Sequence, residues 1–145
     1  MDLSKFGETV KELMDERNLN GKQLGLELGV AGPTITRYIQ GKHMPDMHIL
    51  VLIADYFNCS TDYLLGREPD NHNLKFKRCP PFAEQIEILA KKLCPTFNAF
   101  YTKAGIHEST FYEWKCGSSI PTLESIIRIA DKFECRVDFV LGREV

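Results

Sequence analysis

The sequence has no long hydrophobic run. No apolar stretch approaches the roughly 20 residues that a bilayer-spanning helix needs, so no membrane partner is expected. The start, Met1-Asp2-Leu3-Ser4-Lys5, lacks a basic segment leading into an apolar one, so no secretory signal is expected and the chain reads as cytosolic, with a cytoplasmic location. Cysteine is sparse and odd in number: Cys59, Cys79, Cys94, Cys116 and Cys135 form no C-x-x-C pair, which argues against a zinc knuckle and a disulfide framework. Cys59 and Cys135 lie among apolar residues and read as small buried thiols. His43, His48, His72 and His107 have no cysteine or carboxylate at metal-ligand spacing, so neither a metal site nor a cofactor is expected. A nucleophile elbow, a phosphate-cradling glycine loop and an H-E-x-x-H motif are all missing. These gaps argue against an enzyme, and no small-molecule substrate is expected of domains too small to enclose a pocket readily.

An excess of positive charge is lacking as well. The formal net charge is −2, and it is nearly even along the chain. Residues 1–68 carry seven Lys/Arg against ten Asp/Glu, residues 69–81 three against one, and residues 82–145 eight against nine. A nucleic-acid partner would therefore have to be held by a local face, without long-range attraction from the protein as a whole. The scattered acidic residues read as solubility charges on helices.

What the sequence does have is itself, twice. Shifted by 76 residues it overlies itself without a gap, from Phe6 on Phe82 to Gly66-Arg67-Glu68 on Gly142-Arg143-Glu144. Leu13 meets Leu89, Gly29 meets Gly105, Gly41 meets Gly117, and Ile53-Ala54-Asp55 meets Ile129-Ala130-Asp131. A fixed offset sustained this far marks a duplicated domain. It predicts repeats at 1–68 and 82–145 joined by a Pro-containing basic linker at 69–81.

Apolar spacing predicts an all-α fold of five short helices in each repeat. In the first, a helix from about Leu3 to Arg17 buries Phe6, Val10, Leu13 and Met14, and a second holding Leu24 and Leu28 is closed by Gly29. Pro33 opens a third, which Gly41 stops; Asp46 caps a fourth bearing Ile49, Leu50, Ile53, Ala54 and Phe57; Ser60 or Thr61 caps the last. The second repeat gives Phe82 to Lys92, Asn98 to Ala104, Ser109 to Cys116, Thr122 to Lys132 and Arg136 to Leu141.

The second and third helices carry the chemistry. In Leu24-Gly25-Leu26-Glu27-Leu28-Gly29-Val30-Ala31-Gly32-Pro33-Thr34-Ile35-Thr36-Arg37-Tyr38-Ile39-Gln40-Gly41, Gly25 stands where two helices approach, Gly29 turns the chain and Val30 plugs the turn. This segment, with Pro45, the Ile49-to-Phe57 helix and the ending Ser60-Thr61-Asp62-Tyr63-Leu64-Leu65-Gly66, resembles the Cro/C1-type (XRE-like) helix-turn-helix family of repressors. The resemblance covers nearly all of both repeats and implies two tandem lambda-repressor-like helix-turn-helix domains that bind double-stranded DNA. It implies that Ala31, Gly32, Pro33 and Arg37, with Thr36 beside them, face base edges. Of these, Arg37 alone can make the bidentate contact to guanine that is worth about 1–3 kcal/mol of discrimination, and Ala31 could touch a thymine methyl. Lys22, Lys42 and His43 are the matching phosphate contacts. Where the family commonly carries Gln, this chain has Gly21, which removes one grip on the backbone.

In the second repeat the same positions are His107, Glu108, Ser109 and Glu113, with Tyr112 adjacent, and Ser118 and Ser119 replace Lys42 and His43. Two carboxylates facing a polyanion oppose binding, and Lys103 and Lys115 offset them only in part. The second repeat therefore reads as a degenerate copy used for packing or partner contact, with His107, Ser109 and Tyr112 its candidate DNA contacts. Trp114 and Tyr38 share a repeat position and read as core. Lys75, Lys77 and Arg78 in the linker are suited to track phosphates as an arm does; the alternative is a soluble linker with Phe76 tucked between the domains.

The reading that follows is a repressor-like transcriptional regulator. Either the chain acts as its own pseudo-dimer, or the first repeat binds DNA within a homodimer that the second assembles; the unequal recognition helices favour the homodimer. The rival is a protein-interaction module, or antagonist, that keeps the fold without binding DNA.

Overall fold

The computed structural model describes residues 3–69 and 75–144. The chain divides into two compact units, Met1–Leu74 and Lys75–Val145. The fold is all-α, as expected. In the first unit lie α1 (Leu3–Glu16), α2 (Gly21–Leu28), α3 (Gly32–Ile39), α4 (Met47–Phe57) and α5 (Thr61–Leu64); in the second, α6 (Phe82–Leu93), α7 (Phe97–Ala104), α8 (Glu108–Cys116), α9 (Leu123–Lys132) and α10 (Val137–Leu141). Among the described residues the only extended pairing is a single antiparallel bridge between Phe76 and Glu144. No helix among them is long and apolar enough to cross a membrane, and no three His, Cys, Asp or Glu side chains are grouped so as to hold a metal ion.

Local chemistry explains the boundaries. Helix starts are set by side chains that satisfy otherwise unpaired backbone N–H groups. Asn20 Oδ1 accepts from Gln23 N at 2.8 Å while Gln23 Oε1 accepts from Asn20 N at 2.8 Å, a reciprocal capping box at α2. Asp46 caps α4 through Ile49 N at 2.9 Å, and Ser60 caps α5 through Tyr63 N at 2.9 Å. In the second unit Thr96 and Thr122 do the same for α7 and α9, at the positions equivalent to Asn20 and Asp46. The ends of α4 and α9 also correspond: Asn58 and Glu134 both adopt positive φ, 51° and 49°.

Each unit has its own core. Phe6, Val10, Leu24, Ile35, Leu50, Ile53 and Leu64 are fully buried in the first, and Ile86, Leu89, Phe100, Phe111, Ile126, Ile129 and Val140 in the second. Burying each such side chain contributes about 1.5–3 kcal/mol. Tyr38 and Trp114 are core residues in their own units, as their shared repeat position suggested. Cys59 is buried as expected, but Cys135 is only partly so.

A polar tie closes both units. Buried Asp62 accepts from Arg67 Nε at 3.1 Å, and Arg67 N donates to Asp62 O at 2.8 Å. In the second unit Asp138 holds Arg143 through Nη1 instead, with Arg143 N on Asp138 O at 2.8 Å. Arg143 is wholly buried, because the Phe76 ring covers its guanidinium at 4.5 Å. Lys77 N donates to Arg143 O at 2.9 Å, and the Cys79 thiol donates to Leu141 O at 3.1 Å. Residues 75–81, expected to be linker, thus belong to the second unit. Phe76, expected as a linker residue or one tucked between domains, is that unit's lid on a buried cation. The sequence pattern shows a basic stretch and gives no sign of the arginine that fixes it.

One helix contact depends on the lack of a side chain. A Cβ on Gly7 in α1 would stand 2.6 Å from both the Tyr38 and Ile39 carbonyl oxygens, so α1 and α3 touch backbone to backbone. Gly7→Ala should destabilise the first unit: overpacking costs about 1–3 kcal/mol, against a helix-propensity gain of at most about 1 kcal/mol. Urea unfolding followed by circular dichroism should register the loss. Fluorescence of Trp114, the single tryptophan, reports the second unit and should not move.

Candidate nucleic-acid interface

The corner between α2 and α3 is built on glycines. A Cβ on Gly25 would collide with the Val30 carbonyl oxygen and stand 3.2 Å from Gly32 N, so the helices cross too closely for any side chain there. Gly29, at φ 71°, turns the chain in the left-handed region that favours glycine. The Val30 amide then returns to Gly25 O at 2.8 Å. A Cβ on Gly32 would lie 3.3 Å from Lys22 Cα, and one on Gly21 3.2 Å from Thr36 Oγ1. The opening turns of the two helices therefore abut, which brings Lys22, Gly32 and Thr36 together.

Around this corner Lys22, Ala31, Pro33, Thr36 and Arg37 are exposed, and Gly32 is half-buried. Ala31 is the N-cap of α3 and offers no side-chain cap, and Pro33 has no N–H to satisfy. The positive end of the α3 dipole thus has no side-chain acceptor on its cap, a setting that favours an anion. The Thr36 hydroxyl donates to Gly32 O at 3.3 Å, which leaves its oxygen able to accept. Arg37, Lys22 and Lys42 have no side-chain hydrogen bond or ion pair among the described residues.

Past α3 the chain is held by stacking. Lys42 N donates to Arg37 O at 3.0 Å, and the His43 ring lies parallel to the buried Tyr38 ring, centroids 6.0 Å apart. Burial, reinforced by Asp46, raises the Tyr38 hydroxyl above its ordinary pKa. Tyr38 accordingly stays neutral while it supports an exposed imidazole. The family resemblance implied His43 as a candidate phosphate contact, but not the ring against which it stacks.

The matching corner of the second unit is built on aromatics. At the positions of Gly21, Leu24, Gly25, Ile35 and Thr36 it has Phe97, Phe100, Tyr101, Phe111 and Tyr112. Phe111 packs against Phe97, Phe100, Tyr101 and Tyr112 with centroids 5.3–5.8 Å apart. Tyr101 alone fills a place where the first unit cannot accept a methyl group, and α7 and α8 pack less intimately than α2 and α3. The candidate contacts here are largely engaged with one another. His107 Nδ1 accepts from Ser109 N at 3.2 Å and lies 2.8 Å from Ser109 Oγ, which makes the imidazole the N-cap of α8. Tyr112, 43% exposed, lies beside the Lys115 ammonium, 5.9 Å from its ring centroid; that ammonium also sits 5.0 Å from the Phe97 centroid. Glu108 stands in the first turn of α8, where the dipole favours a carboxylate and disfavours a second anion. Glu113 is exposed on the same helix. Lys75, Lys77 and Arg78 are exposed as well, on the segment fixed to the second unit.

Residues 10–64 are similar to the family model described as Helix-turn-helix. The match runs from Val10 in α1 to Leu64 in α5 and so lies within the first unit. No curated protein and no solved structure matches the chain.

If His107 serves the second unit as a cap, His107→Ala should cost about 0.5–2 kcal/mol. A lower urea midpoint of Trp114 fluorescence would record that loss.

Proposed function

We propose that the protein is a sequence-specific, double-stranded-DNA-binding transcriptional regulator of the repressor kind, in which the first unit reads DNA through α3. The observation that carries this reading is the α2–α3 corner: a helix N-terminus without a side-chain cap beside exposed Lys22, with exposed Arg37 further along α3 and exposed Lys42 past its far end. Ala31, Gly32, Pro33 and Thr36 let the backbone approach bases closely, and Arg37 supplies the guanine contact. Lys22, Lys42 and His43 grip phosphates. Because the chain is acid-leaning overall, this face must do locally what net charge does in a basic protein.

The second unit is then a diverged copy of the same domain, the repeats spanning 1–68 and 82–145. Its aromatic corner, with Glu108 and Glu113 at base-reading positions, supports packing or partner contact and speaks against base reading. Two-fold binding would place two α3 helices about 34 Å apart, in a homodimer whose DNA-reading surface comes from the first unit of each copy. Lys75 and Arg78 are suited to add backbone contacts. A cytoplasmic location accords with this function.

Selection from random duplexes tests the reading, with Arg37→Ala and Glu113→Ala in parallel. A motif should be enriched; Arg37→Ala should lose at least one base position, at a cost of about 1–3 kcal/mol, and Glu113→Ala should leave the motif intact. Affinity should fall steeply as salt rises, through counterion release. Absence of enrichment at low salt would favour the protein-interaction reading, for which the acidic α8 face is the supporting observation.

A further inference from the structure

The second unit has a groove away from the α2–α3 corner, a cavity of about 350 Å³ among the 75–80 segment, α6 and α10. Its apolar lining includes Ile88, Leu89 and Phe139, and its charged lining is Lys77, Lys92 and Glu144. Ile88 is 46% exposed, which leaves apolar surface at the mouth of the groove. Glu144 is committed to Arg136 at 3.0 Å. The Gln85 amide, also in the lining, donates to the carbonyls of Phe139 and Val140 at 3.4 and 3.3 Å. Lys77 and Lys92, by contrast, have no carboxylate partner among the described residues, although the Lys92 ammonium stands 6.0 Å from the Phe139 ring centroid. The groove thus joins two uncompensated ammonium groups to uncovered apolar surface.

The other repeat supplies a control within the same chain. The first-unit equivalents of Ile88 and Lys92 are Glu12 and Glu16, both exposed. A face that is an ordinary solvated acidic stripe on α1 has become apolar and basic on α6. The scaffold therefore tolerates acid at both positions, and folding does not require the change.

We propose that this groove is a binding site for a small amphipathic carboxylate. The carboxylate is held between Lys77 and Lys92, and the alkyl or aryl body lies against Ile88 and Phe139. Size decides for a small molecule over a docked helix. One helical turn with its side chains, about 10 Å across and 5.4 Å long, exceeds the cavity, which suits about ten non-hydrogen atoms at about 30 Å³ each. A ligand of that size supports a dissociation constant on the order of 1 mM or tighter. It would touch three separate stretches of chain at once, and so stabilise the unit that contains Trp114.

The test uses the full-length chain with octanoate as probe and octylamine, of the same length and opposite charge, as control. Calorimetric titration should give binding on the order of 1 mM or tighter for octanoate and at least about tenfold weaker binding for octylamine. Octanoate should also raise the urea midpoint read by Trp114. Lys92→Glu and Ile88→Glu, which install the residue types of the first unit, should each weaken octanoate at least about tenfold while leaving the ligand-free midpoint in place. No octanoate binding, equal binding of octylamine, or a Lys92→Glu variant that binds as well as the parent would overturn the proposal. None of these outcomes depends on whether the first unit binds DNA.

Discussion

The closeness of α2 to α3 is the constraint on which the first unit's exposed surface depends. Gly25 sets it: with no side chain there, one helix rests on the backbone that starts the next, and Gly21 and Gly32 extend the contact by a turn. The consequence is chemical as much as geometric. Small residues at the crossing let the opening turns of both helices abut, so the α3 N-terminus, which has no side-chain cap, lies beside Lys22. A methyl group at the crossing would push these parts away from one another.

The second unit shows the alternative solution to the same topology. Tyr101 takes the place of Gly25, and a ring cluster around Phe111 fills the wider gap. The two units keep their helix order, the threonine, asparagine and aspartate caps at equivalent starts, and the Asp–Arg tie at the end. They differ in the contact that sets how α8 is presented, and in the sign of the charges α8 carries. One helix order can thus keep its stability while its exposed surface differs, because caps and core lie on one set of positions and the presented surface on another.

Much of this was legible in the sequence, for identifiable reasons. Helix spans followed from apolar spacing and from caps such as Asp46 and Ser60, whose partners are three residues away. Gly25 and Gly29 were legible because a turn and a crossing leave a local signature. The reciprocal cap of Asn20 and Gln23 was equally local, an Asn followed three residues later by Gln, and could have been read. What could not be read depends on distant partners. Gly7 meets carbonyls more than thirty residues away; Phe76 meets Arg143, 67 positions on. Gly21, which in the sequence looked like a lost backbone grip, has a packing role beside Thr36. The groove was illegible too, since Lys77, Lys92 and Phe139 converge only once α10 has folded back on α6.

The repeat and the folded unit do not begin at the same residue. The internal sequence match begins at Phe82; the folded unit begins at Lys75, where Phe76 covers the buried charge of Arg143. A buried ion pair is costly to leave incompletely shielded. Anyone dissecting the protein into pieces should place the cut upstream of that phenylalanine. A fragment trimmed to the homology boundary would expose the guanidinium to water, remove the donor from Arg143 O, and dismantle one wall of the groove. Ancestry and autonomy, as criteria for a boundary, differ here by seven residues.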